Sequence, residues 1–196
     1  QEALNKKYGL TGFTPLKSFL GINYVYAKDG ELTLEMNAKF QALFQSLSDK
    51  GEEFRKAKIL SIPGNTQTKQ QSKELTMGDL TTLERELLSK YSSLVGSIGF
   101  PAKMCSPQLA QPYSMLSRNL ADPQPADART LRKLLQYIYH HIDEVFVMKR
   151  PENFDREKSP FVLHAFSDSN YGDWKDVEFR ATTGWCFFLS GILIDW

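Results

Sequence analysis

Apolar residues change their spacing toward the carboxyl end of this 196-residue chain, and that change constrains the fold more than any other feature. Through the middle they recur at helical intervals. Phe40, Leu43, Phe44 and Leu47 fall at i, i+3, i+4 and i+7, followed by Leu87, Tyr91, Leu94, Val95 and Ile98, and then by Leu131, Leu134, Leu135 and Ile138. Near the carboxyl end the pattern gives way to short runs rich in β-formers: Phe161 to Phe166, Gly184 to Leu189 and Ile192 to Trp196, the last two joined at Ser190-Gly191. A helical body followed by three strands places the chain in the α+β or α/β class.

Local signals set the remaining elements. Gln1 to Tyr8 can close a short helix that stops at Gly9, and Phe19 to Tyr26 and Glu31 to Met36 flank Asp29-Gly30 as the arms of a β-hairpin. Asn37 is a good N-cap for a helix ending near Gly51. Ser61 to Gly78 is polar and contains Pro63-Gly64, so it reads as a long exposed loop. A helix over 108–118 would be kinked by Pro112 unless that proline marks its first turn. Asp122-Pro123 opens a helix that carries Arg129, Arg132 and Lys133 mainly off its apolar stripe and ends near His141. Val145 to Met148 suits a strand, and Arg150 to Pro160, charged and bounded by prolines, suits a linker.

Composition bounds the partners weakly. A hydrophobic share of 41% with 24% charged residues is ordinary for a globular protein, without disordered or collagen-like bias. The net charge of +1 supplies no global attraction to nucleic acid, so phosphate binding must come from local patches. Cys105 and Cys186 show no ligand-like spacing, and the apolar run around Cys186 predicts a buried thiol, which fits a reducing compartment. The amino terminus has neither a signal core nor an initiating Met, so an internal piece of a longer protein is expected, and the apolar stretch from Trp185 to Ile194 is too short to span a bilayer.

Several segments, in order, resemble copia-type retrotransposon Pol polyproteins over the end of the reverse transcriptase and the start of RNase H. Leu16-Lys17-Ser18-Phe19-Leu20-Gly21-Ile22 with Glu31-Leu32-Thr33-Leu34 resembles the family's Phe-Leu-Gly-Ile strand and following hairpin, and Ile62-Pro63 stands where Thr-Pro is usual. Tyr91-Ser92-Ser93-Leu94-Val95-Gly96-Ser97-Ile98 is similar to Tyr-Arg-x-Leu-Val-Gly-Ser-Leu, the most specific match in the first 150 residues. Leu116-Ser117-Arg118, Pro123 and Leu134-Leu135-Gln136-Tyr137 follow in the family's order. Ser167-Asp168-Ser169-Asn170 resembles Ser-Asp-x-Asp, and Arg180-Ala181-Thr182-Thr183-Gly184-Trp185 resembles Arg-x-Ser-Thr-Ser-Gly-Tyr, with Ile194-Asp195-Trp196 for Ile-Ser-Trp. Ser106-Pro107-Gln108, Tyr139-His140-His141 and Asn170 depart from Arg-Pro-Asp, Lys-Gly-Thr and the second acid, which puts contacts made there in doubt.

The resemblance implies four regions: 1–36 the end of the polymerase palm with its hairpin, 37–149 a helical thumb and connection, 150–160 a linker, and 161–196 an incomplete RNase H-like domain of three strands. It implies an RNA/DNA hybrid or template-primer duplex as partner, Mg2+ as cofactor of the intact parent, further polyprotein segments on both sides, and an intracellular setting in a cytoplasmic virus-like particle or the nucleus. No membrane partner is expected.

Asp168 corresponds to the family's catalytic, metal-binding carboxylate on the first RNase H strand. Read from residues alone, it is a strand-end Asp that starts a turn with Ser169 and Asn170. RNase H chemistry uses two divalent ions held by several carboxylates, which one Asp cannot cage, and the family's Tyr-x-Asp-Asp polymerase turn does not occur here. The chain alone is therefore expected to be inactive and to bind no stable metal. Asp49, Asp79, Asp173 and Asp176 read as solvated loop or helix-end acids. Adjacent helical histidines point about 100° apart, so His140-His141 reads as a helix-end pair rather than an ion site. Lys50, Arg55, Lys56 and Lys58 could follow a duplex backbone, but Glu52 and Glu53 interrupt them and a solvated face is the commoner outcome.

Three functional readings follow: a piece of a polymerase and ribonuclease H polyprotein; a decayed or domesticated retroelement module that binds nucleic acid or protein without catalysis; and an unrelated soluble α/β domain. Strands such as Trp185 to Leu189 need cover on both faces of such a sheet, and exposing Phe187, Phe188, Leu189 or Ile192 forgoes roughly 1.5 to 3 kcal/mol each. Residues 161–196 alone are expected to be poorly ordered or prone to aggregate.

Overall fold

The computed structural model describes residues 15–55, 75–155, 157–170 and 182–196. The helix expected over Gln1 to Tyr8 and most of the polar stretch from Ser61 lie outside the described residues, as do Ile62-Pro63, Lys56, Lys58, Asp173 and Asp176. Elements are numbered among the described residues.

The first strand breaks where a single one was expected. β1 (Ser18–Phe19) turns back at Leu20-Gly21 into β2 (Ile22–Tyr26), with Phe19 opposite Ile22. Leu20 and Gly21 both have positive φ, 52° and 81°, the backbone of a type I′ turn, which glycine at its second position accommodates. β2 then pairs with β3 (Leu32–Glu35) across the expected hairpin, whose loop is held by the Ala27 N–H donating to the Glu31 carbonyl at 2.9 Å, with Gly30 at φ 86°. The outer strand of this sheet comes from far along the chain. β4 (Phe146–Met148) pairs antiparallel with β3, setting Phe146 opposite Leu34, so the sheet order is β1-β2-β3-β4. The pairing unites residues on both sides of the boundary expected at 36–37. Ile22, Leu34, Met36 and Cys105 form a small core under this sheet, with Phe100 and Phe146 packed against it.

Six α-helices are described between the strands. α1 (Asn37–Gln45) starts at Asn37 itself rather than being capped by it: Met36 occupies the cap position and no side chain caps the end. It stops well short of Gly51, which instead carries a left-handed φ of 83° at a place where a β-carbon would fall 3.3 Å from Phe44 and Tyr139, and α2 (Glu52–Arg55) follows. The helical spacing through Leu87 and Ile98 resolves into α3 (Thr82–Ser89) and α4 (Tyr91–Met104), separated at Lys90. Pro112 lies in the first turn of α5 (Ala110–Ser117), where its missing N–H costs nothing. α6 (Pro125–His140) has Pro125 in its first turn, and the Asp127 carboxylate accepts from the Gln124 N–H at 2.8 Å; Asp122-Pro123 therefore stands just ahead of the helix.

α6 is the axis of the main core. Leu131, Leu134 and Leu135 are fully buried among Phe54, Leu87, Tyr91, Val95 and Ile98, and full burial of each leucine stabilises by roughly 1.5 to 3 kcal/mol. The Tyr91 hydroxyl donates to the Leu116 carbonyl at 2.9 Å, and burial pushes its phenol well above the ordinary value. Gly99 lets α5 approach α4, since a β-carbon there would fall 2.6 Å from the Tyr113 ring.

The carboxyl-terminal sheet is separate. β5 (Leu163–Asn170), β6 (Thr182–Leu189) and β7 (Ile192–Asp195) run antiparallel in that order, with Leu163 opposite Leu189, Asp168 opposite Gly184, and a bulge at Phe187/Phe188. The β6–β7 turn at Ser190-Gly191 has positive φ at both residues, 48° and 85°. No described side chain from 161 to 196 is buried. Cys186, expected to be buried, is only half-buried, in a sheet none of whose described side chains is buried, whereas Cys105 is buried and its thiol is pushed up to about 11 by that burial. Trp196 ties the sheet to the body: its indole N–H donates to the Ala102 carbonyl at 2.7 Å and its ring lies 5.3 Å from that of Phe146.

Candidate functional site

Asp168 sits inside β5, and the strand continues through Asn170 instead of turning at Ser169. Cross-strand pairing puts His164, Phe166 and Asp168 on one face with Phe188, Cys186 and Gly184. The Phe166 and Phe188 rings meet edge to face at 5.9 Å. Beyond them Asp168 faces a glycine, and a β-carbon built on Gly184 would touch nothing within 4 Å, so the space beside the carboxylate is open. Asp168 itself is exposed.

An open carboxylate on a strand is a reasonable first ligand for a hard cation, but a two-ion centre needs several acids converging on one point. Among the described residues no group of three or more His, Cys, Asp or Glu side chains is placed to hold a metal. Among the described residues the donor set around Asp168 therefore does not fit a pair of Mg2+ ions.

The other singled-out residues have local partners. His140 Nε2 lies 2.9 Å from the Phe54 carbonyl oxygen, while His141 Nδ1 lies 2.6 Å from a Glu144 carboxylate oxygen and its ring stacks on Tyr137 at 4.2 Å. The two histidines thus serve different neighbours. Of the basic run, Lys50 and Arg55 are described and exposed. The Arg55 Nε–H donates to the Tyr139 hydroxyl at 2.6 Å and its guanidinium pairs with Glu52 at 3.4 Å; the Tyr139 bond, then the Glu52 charge, raise its already high pKa. Asp49 caps α2 by accepting from the Gly51 and Glu53 N–H groups at 3.0 Å each. Asp79 accepts from the Thr76 hydroxyl at 2.7 Å and the Thr76 N–H at 2.8 Å, contacts that lower its pKa.

One charged constellation went unread in the sequence. Glu84 is 3% exposed, accepts from the Thr81 N–H at 2.9 Å in a capping box, and meets Arg132 at 3.2 Å and Arg129 at 3.6 Å. Burial pushes its carboxyl up, but the Thr81 and Arg132 contacts outweigh that and leave it below the usual carboxylate value. Thr81-x-x-Glu84 is a capping-box spacing and was the available signal. Its role is to pin α3 to α6.

The whole chain is similar to a Saccharomyces cerevisiae protein assigned to the transposon Ty5-1, with 24% identity over all 196 residues. The chain is retrotransposon-related. It spans 57% of that relative's length. No family model matches the retrotransposon-related chain, and no solved structure does.

Proposed function

We propose that this chain is a piece of a retroelement polyprotein whose complete form is an RNA-directed DNA polymerase and ribonuclease H. It would run from the end of the polymerase, through the helical body, to the first three strands of an RNase H-like domain. The whole-length likeness to the yeast transposon protein carries the reading. The ordered motifs from Phe19-Leu20-Gly21-Ile22 to Ser167-Asp168 add the finer assignment. The partner class is an RNA/DNA hybrid or template-primer duplex, held by the intact protein. Asp168 is the residue we assign to metal binding and catalysis there, with Mg2+ as the cofactor whose chemistry is to activate water and stabilise the leaving oxygen.

On this reading the chain by itself is a nucleic-acid-contacting part without a working centre. The experiment is to mix the purified 196-residue chain with a labelled RNA/DNA hybrid and Mg2+. Expected are no cleavage and hybrid binding that weakens as salt rises, because phosphate contacts release counterions. Cleavage by the chain alone, or no binding even at low salt, would overturn the assignment.

A further inference from the structure

We infer that Arg129 and Arg132 of α6, anchored on the buried Glu84, form with Lys133 a seat for consecutive phosphates of a nucleic-acid backbone. The inference deepens the proposed function and rests on it for the class of partner.

One carboxylate cannot neutralise two guanidinium groups. Glu84 turns one oxygen to Arg132 at 3.2 Å and Arg129 at 3.6 Å, and the other to the Thr81 N–H at 2.9 Å, so the triad keeps an uncompensated positive charge. Glu84 is 3% exposed, yet the two arginine side chains stand 36% and 37% in solvent. A guanidinium carries five N–H donors in a fixed fork. Arg132 gives one to Glu84, and Arg129 gives one to the Asp79 carbonyl at 2.9 Å, which leaves most of each fork uncommitted. Because both forks are anchored before a ligand arrives, less side-chain freedom is lost when one binds.

Lys133 is exposed and lies four residues after Arg129, on the same helical face, so the three cations fall within about 6 Å of rise along α6. The acids around them are engaged elsewhere. Asp79, though within the field of Arg129, accepts from the Thr76 hydroxyl and N–H. Asp127 stands two positions before Arg129, away from this face, and accepts from Asn119 and Gln124. Glu86 pairs with Lys90 at 2.7 Å. Arg55, by contrast, is already paired with Glu52 and bonded to Tyr139, so the basic run from Lys50 offers less. A row of forked cations along one helix suits repeated phosphates better than a lone carboxylate.

The test is fluorescence anisotropy of the full chain with a labelled RNA/DNA hybrid and, separately, a single-stranded DNA of the same length, each titrated with salt. Arg132→Gln and Lys133→Gln should each weaken binding by about fivefold at low salt and reduce the slope of log K against log salt by about one. Arg55→Gln should stay within about twofold. Glu84→Gln keeps all three cations and removes the one negative charge of the triad, so it should tighten binding by about twofold or more. Arg132→Gln and Glu84→Gln both loosen the joint between α3 and α6, so a merely structural role would move them in the same direction. Lys133→Gln leaves that joint intact. Hybrid binding that Arg132→Gln and Lys133→Gln leave unchanged, or that Glu84→Gln fails to tighten, would overturn the inference while the proposed function stands. These shifts seen with the single strand and no binding of the hybrid would support the inference and overturn the proposed function. No binding of either would overturn both.

Discussion

Leu131, Leu134 and Leu135 on α6 are fully buried, while Leu163, Phe166 and Trp185 on the carboxyl-terminal sheet are half exposed or more. The residues in the two regions are comparably apolar. What differs is whether a second layer exists to receive them: α6 lies against α2, α3 and α5, but no described side chain of β5-β6-β7 is buried. A helix hides one stripe with a single neighbouring layer, whereas a sheet that is apolar on both faces needs two. Folding stability should therefore be concentrated in the helical body.

The sharpest way to break that contrast is a pair of truncations. Leu134→Ala should lower the unfolding free energy of the chain by about 2 to 5 kcal/mol in urea, the cost of a core cavity. Leu163→Ala should change it by less than about 0.5 kcal/mol. Equal losses would show that the sheet is as well packed as the body.

Next in size is Glu84. Glu84→Gln keeps the shape but removes the charge that Arg132 and Arg129 share, and about 1 to 3 kcal/mol should be lost at neutral pH. Because the folded carboxyl holds its proton less tightly than the unfolded one, its contribution is complete above the ordinary value of 4.5 and disappears as pH falls through the lower folded value. Urea titrations across that range should find the variant's stability less dependent on pH than the wild type's, and parallel profiles would show that the ion triad is not coupled to folding.

A smaller effect tests the joint between the regions. Trp196→Phe deletes the N–H that donates to the Ala102 carbonyl while keeping an aromatic ring beside Phe146, for about 0.5 to 1.5 kcal/mol. Amides of β6 and β7 should exchange faster, with those of α6 unchanged. Acceleration in both would make the molecule one cooperative unit.

Much of the architecture was legible because one periodicity dominated each stretch. The Leu131–Ile138 stripe gave α6 almost to its ends, and Ser190-Gly191 gave the β6–β7 turn. Where two signals competed, the longer one masked the shorter. The apolar alternation from Phe19 to Tyr26 concealed a turn at Leu20-Gly21, and continuous helical spacing concealed the break at Lys90. Pairing between β3 and β4 is set by tertiary packing and leaves no local mark in either strand. Asp168 was singled out through resemblance alone, since a single acid flanked by Ser and Asn looks like a turn; its place inside a strand, opposite a glycine, came from the backbone.

The union of β3 with β4 has a consequence for how the molecule forms. β2 and β3 can zip together in microseconds because their partners are near neighbours in sequence, but Phe146 reaches Leu34 only after everything between has collapsed. Closing so long a loop is entropically costly, so the outermost strand of that sheet should be a late arrival in refolding, gaining protection together with α6 and not with the hairpin it completes.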